Sequence, residues 1–128
     1  MDITPLVPAG RQILQGYGDG GFRISGLRHV GSVLLFPTRT LSWPVAASAD
    51  LAGAEAGLLD AIAASDTPVE LLLIGTGKTM EMVPASLRRA LRERGVAVDA
   101  MDTGAACRTY NVLLSEDRRI AAALIAVE

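Results

Sequence analysis

The sequence predicts a layered α/β domain, an antiparallel meander followed by a parallel βαβαβ unit, and three observations carry that prediction. Two apolar runs, Val33–Phe36 and Leu71–Ile74, are too continuous to have a wet face and suit strands buried on both sides. A helical period with Leu87 and Leu91 starts at Pro84 and is stopped by Gly95, between two such strands. Short alternating runs bounded by glycine and proline fill the first third of the chain.

The elements follow in order. Residues 1–11, with Pro5, Pro8 and Gly10, read as an extended arm. Gln12–Gly16 is a short strand, and Asp19-Gly20-Gly21 a tight turn whose residues tolerate positive φ. Phe22-Arg23-Ile24 alternates as a returning strand. Gly26 and the stretch His29–Gly31 mark a further reversal. Val33–Phe36 and Thr40–Trp43 are strands stopped by Pro37 and Pro44. Asp50 is placed to cap a helix from Leu51 to Ala64, weakened by Gly53 and Gly57, with Leu51, Leu58, Leu59 and Ile62 as its apolar stripe. After the turn Ser65–Pro68 come a strand over 69–74, the helix Pro84–Arg94, and a strand over 96–101. A helix capped by Thr103 runs from Gly104 to Ser115, and a last strand spans 119–127. Helical crossovers make the three late strands parallel neighbours. Gly75-Thr76-Gly77 and Asp102-Thr103-Gly104 then leave the same edge of the sheet, where open α/β sheets tend to hold ligands.

Composition limits the function classes. The chain has 128 residues, enough for one domain with its own core. Net charge is −2, with mean hydropathy +0.35, which argues against both a nucleic-acid footprint and disorder. Arg88, Arg89, Arg92 and Arg94 read as a solvated helix face. One cysteine excludes an intramolecular disulfide, and one Cys with one His cannot close a zinc site. The first residues lack a signal-peptide pattern, and no apolar run approaches the ~20 residues of a spanning helix. A cytoplasmic protein without cofactor or metal is expected, one that reaches a membrane only through a partner.

The candidate chemistry gathers at the sheet edge. Gly77-Lys78-Thr79 evokes a phosphate loop, but the glycine that pattern needs five residues earlier is Leu72, inside a strand. A simpler anion or small-ligand site would use Gly75, Thr76, Gly77, Lys78, Asp102, Thr103 and Cys107, with backbone N–H groups and a helix N-terminus as donors. The competing reading is that the glycines permit a sharp, closely packed turn. Cys107, near a helix N-terminus and beside Arg108, is either a reactive thiolate or a small residue in a tight seam. The helix over 104–115 is apolar on several sides, so Arg108, Tyr110 and Asn111 form a candidate partner surface. Alternatively, Tyr110 fills the core and Arg108 pairs with Asp102. A homodimer would also cover any apolar surface left over.

Five stretches together resemble a known family. They are Gly20-Gly21-Phe22-Arg23-Ile24, His29 with Gly31-Ser32 and Pro37, Leu72–Gly77, Met101–Thr103 continuing through Ala105–Asn111, and Arg119–Ile125. In this order they resemble the Mth938-like domains, a family of bacterial proteins and of the mitochondrial respiratory complex I assembly factor 3. The resemblance covers roughly residues 12–127 of the chain. It implies a compact fold with mixed sheets and two main helices. It brings no agreed catalytic activity. For the mitochondrial members it implies a scaffolding role in building the membrane-bound dehydrogenase. Two functions are therefore expected: an interaction module that aids assembly of a respiratory or other multi-subunit complex, or a small-ligand site, thiol-dependent in one version.

Overall fold

Alternating side chains on three central strands divide this molecule into two cores. A computed structural model of the chain describes residues 11–128; the expected arm over residues 1–10 lies outside the described residues. Five strands form the main sheet: β4 (Val33–Phe36), β5 (Arg39–Ser42), β6 (Leu71–Gly75), β7 (Ala97–Met101) and β8 (Ile120–Leu124), in the order β5-β4-β8-β6-β7. β6 lies between β8 and β7 and runs parallel to both, whereas β4 is antiparallel to β8 and β5. Helices α2 (Ala85–Glu93) and α3 (Thr103–Ser115) make the two crossovers of the expected βαβαβ unit. Gly95, at φ 79°, turns the chain out of α2 as the sequence indicates.

On one face of this sheet, Leu34, Phe36, Leu72, Ile74, Ala121 and Ala123 meet Leu58 of α1 (Glu55–Ala63) and Leu87 and Leu91 of α2. On the other, Val33, Leu35, Leu73, Ile120, Ala122 and Leu124 meet α3 and a second sheet. That sheet is β1 (Leu14–Gly18), β2 (Gly21–Ile24) and β3 (Leu27–Val30), wholly antiparallel. Phe22 and Ile24 of β2 are fully buried against α3. Each large apolar side chain buried this way contributes ~1.5–3 kcal/mol. The two apolar runs are continuous because both faces of β4 and β6 are covered.

Three elements differ from the sequence reading. The meander is divided between two sheets: the chain turns at Gly31, φ 84°, and β4 leaves to join the main sheet. His29 lies within strand β3 rather than in a reversal, opposite Phe22. β3 is an edge strand with no buried face, so it carries no alternation to detect. The helix expected over 51–64 is broken into a 3₁₀ turn, Ser48–Gly53, and α1. Asp50 accepts hydrogen bonds from the Ala46 and Ala47 amides, at 3.1 and 3.2 Å, and so fixes the entry to that turn rather than capping α1.

Where β6 ends, α3 comes very close. A Cβ placed on Gly75 would lie 3.0 Å from the Thr103 Cα and 3.0 Å from a Leu124 methyl. A Gly75→Val protein is therefore expected to lose ~1–3 kcal/mol, the usual cost of overpacking, as a lower urea midpoint with unchanged slope. An unchanged midpoint would mean that α3 does not need this approach.

Candidate functional site

Parallel β6 and β7 deliver Gly75-Thr76-Gly77 and Asp102-Thr103 to one edge, as the topology requires. The Thr76 amide bonds the Met101 carbonyl at 2.9 Å and joins the two strand ends. Thr103 is fully buried, and its hydroxyl donates to the Ile125 carbonyl at 2.8 Å while accepting from the Gly77 amide at 2.9 Å. Its own amide donates to the Gly77 carbonyl at 2.9 Å. The Thr76 hydroxyl lies 2.8 Å from the Thr79 carbonyl and 3.2 Å from that of Met101, and accepts from the Glu81 amide at 2.9 Å. These groups satisfy one another.

Asp102, not Thr103, caps α3. Its backbone is extended, and its carboxylate accepts from the Ala105 amide at 3.0 Å. Asp102 and Thr103 are both good capping types. The choice falls to Asp102 because the Thr103 hydroxyl is committed to Gly77 and Ile125. A carboxylate already occupies the positive end of this helix, where an external anion would otherwise be favoured. Lys78 is exposed and borders a cleft of about 410 Å³ whose wall also carries Glu81 and Glu128, so one cation faces two carboxylates. The residues expected to form an anion site are thus brought together, with the Gly77 and Ala105 amides and the Thr76 and Thr103 hydroxyls bonded within the protein and Lys78 exposed.

Cys107 is only 5% exposed. Burial pushes its thiol up to about 12; Arg108 opposes that shift, and Asp102 adds to it. Burial outweighs the neighbouring cation, and of the two readings of Cys107 this favours the small residue in a tight seam over the reactive thiolate. Among the described residues, no group of three or more His, Cys, Asp and Glu side chains is arranged to hold a metal ion.

The candidate partner surface on α3 resolves into three different roles. Tyr110 is wholly buried and leaves no side-chain surface for a partner; its hydroxyl has no hydrogen-bond partner among the described residues, and burial raises its pKa. Asn111 clamps the first sheet, accepting from the Leu14 amide at 3.1 Å and donating to the Leu14 carbonyl at 2.6 Å. Arg108 points outward and makes no ion pair among the described residues. Val112, one turn on, is half exposed, as is Tyr17 of β1, whose hydroxyl lies against Gly104. Tyr17 was not singled out from the sequence. Its partial exposure is set by where the first sheet sits on α3.

Comparison with known proteins adds three findings. A family model described as a protein of unknown function (DUF498/DUF598) matches residues 14–125. An uncharacterised protein of Rhodobacter capsulatus is 39% identical over 125 residues, covering 96% of this chain and 93% of that protein. The NADH dehydrogenase (ubiquinone) 1 alpha subcomplex assembly factor 3 of Xenopus tropicalis is 35% identical over 112 residues, covering 88% of this chain. The aligned region spans 60% of that assembly factor's length. Among solved structures, a Bordetella pertussis protein described as a Mth938-like domain superposes with TM-score 0.77 at 31% identity, over 98% of this chain and 92% of that one.

The state of Cys107 can be tested directly. Burial pushes the Cys107 thiol from the ordinary 9.0 up to about 12, so the folded state holds the proton more tightly. Its contribution to stability is present below pH 9 and is lost as pH rises towards 12. At pH 7.5, alkylation by iodoacetamide is expected to proceed no faster than unfolding. Rapid modification of the folded protein would contradict the burial.

Proposed function

The chain belongs to the DUF498/DUF598 family and has the Mth938-like fold, and from that premise we propose that it is a non-catalytic protein-interaction module that aids assembly of a multi-subunit complex. The observation that carries this reading is the 35% identity over 112 residues to an assembly factor of NADH dehydrogenase, a match that includes the folded core. The complex it helps to build is a respiratory NADH dehydrogenase or an assembly of the same kind. No helix among the described residues is long and apolar enough to cross a membrane, so the route to a membrane-bound complex is through a protein subunit.

The partner surface in this reading is the outer side of α3: Arg108, Val112 and the adjoining Tyr17. A guanidinium beside apolar and aromatic groups is a common hot-spot composition. Tyr110 and Asn111 support this surface from within, as core filler and as clamp. The alternative, an anion or small-ligand site across 75–78 and 102–107, has less support because the Thr76, Gly77, Thr103 and Ala105 amides already have protein acceptors.

Affinity capture of the tagged protein from its own cells, in mild detergent, tests the proposal. Wild type is expected to enrich NADH dehydrogenase subunits, and Arg108→Glu to lose them while its unfolding free energy stays within ~0.5 kcal/mol of wild type. Equal enrichment by Arg108→Glu would remove the α3 surface. Absence of such subunits from the wild-type sample would remove the assembly reading itself.

A further inference from the structure

The edge strands of the two sheets are not protected alike. The outer edge of β1 is held by Asn111, which bonds both the amide and the carbonyl of Leu14. On β7, Arg88 donates to the Val98 carbonyl at 3.2 Å. β5 exposes no large apolar side chain. β3 has neither protection: Leu27 is 67% and Val30 82% exposed. An unpaired strand edge is a template for another strand, and folded proteins usually blunt it with charge, proline or a bulge.

The turn into β3 fixes which of its backbone groups look outward. Ser25 at φ 48° and Gly26 at φ 85° make a two-residue hairpin turn with positive φ at both positions, so Ile24 and Leu27 exchange hydrogen bonds. The ladder then alternates, and the Gly31 amide closes it on the Gly20 carbonyl at 2.7 Å. Leu27 and His29 therefore turn their amides and carbonyls towards β2. Those of Arg28 and Val30 turn outward and have no hydrogen-bond partner among the described residues.

Arg28, the one formally charged residue of β3, would ordinarily guard such an edge. Instead its guanidinium folds back and donates to the Gly18 and Asp19 carbonyls at 3.1 and 2.7 Å. It lies over Gly21, where a Cβ would come within 3.1 Å of it. The charge is thereby drawn off the edge, and the outward backbone stays clear between two exposed apolar side chains.

We propose that β3 pairs antiparallel with β3 of a second copy of this chain, about a twofold axis at His29. The outward edge is its own complement in this register. Arg28 and Val30 flank His29, so the axis sets each Arg28 opposite Val30 of the other copy, and each such pair exchanges both of its N–H···O bonds. An axis at Arg28 would set two arginines directly opposite, which is unfavourable. One at Val30 would call on Ser32, whose carbonyl already accepts from the Trp43 amide at 2.9 Å. The interface joins the two small sheets into one continuous sheet and covers Leu27 and Val30. It lies away from α3 and stands whether or not the assembly reading does.

Sedimentation equilibrium of the full chain tests the pairing. Wild type is expected to approach twice the 13.4 kDa of one chain as concentration rises. Val30→Pro removes an amide that the fold leaves unused, at a position where an edge strand tolerates proline. It should weaken self-association at least ~tenfold, because a symmetric interface loses the bond twice. Val30→Ile keeps the amide and should associate as wild type does. In the wild-type chain itself, hydrogen exchange at the Arg28 and Val30 amides should slow as the protein is concentrated. A monomer at every concentration, a dimer in which those two amides exchange freely, or wild-type association by a folded Val30→Pro would each overturn the proposal.

Discussion

A single buried hydroxyl, that of Thr103, ties together the parts on which the rest of the structure depends. It joins the loop after β6 to the start of α3 and to the residue that follows β8. The bond to Gly77 is possible because Gly75 has no Cβ to hold α3 away from the strand end. A neutral hydrogen bond contributes ~1 kcal/mol net, but a buried amide or carbonyl left without its partner costs ~1–3 kcal/mol. Loss of this hydroxyl would leave one of each. From that anchor α3 runs between the two sheets, and Asn111 fastens Leu14 of β1 to it near the far end. The helix is a post that carries both sheets.

This constraint bears directly on function. The carboxyl edge of a parallel sheet is where α/β proteins usually bind small molecules, because strand ends and helix N-termini leave donors there. Here Asp102 takes one donor at the α3 terminus, Thr103 takes the Gly77 amide, and Thr76 takes that of Glu81. What remains for recognition is the outside of the molecule. On that outside lies the cationic, partly apolar strip of Arg108 and Val112. A protein that works through surfaces rather than a reactive edge accords with the assembly reading.

Much of the fold was legible because periodicity reports burial. The two-sided burial of β4 and β6, the parallel direction of the three late strands and the stop at Gly95 all followed from apolar runs, helical crossovers and local breakers. β3 escaped because an edge strand without a buried face has no pattern to show. The site was legible in place but not in role. Asp102 and Thr103 are neighbours with equal claim to the cap, and only the position of Ile125 decides between them. Cys107 is subject to opposing effects, a helix terminus and burial, and sequence shows the first but not the second. The α3 sequence is apolar on several sides, so whether Tyr110 or Arg108 faces outward depends on where the first sheet lands. Gly53 and Gly57 were visible as helix weaknesses, and the helix expected there is broken.

Amide hydrogen exchange at Gly77 tests the central claim, that the carboxyl edge is closed by the protein's own hydrogen bonds. The account predicts that this loop amide exchanges as slowly as the core amides of β6, and that millimolar phosphate changes neither its rate nor its chemical shift. Exchange within about tenfold of an unprotected amide, or a saturable shift on adding phosphate, would contradict it and return the edge to the list of ligand sites.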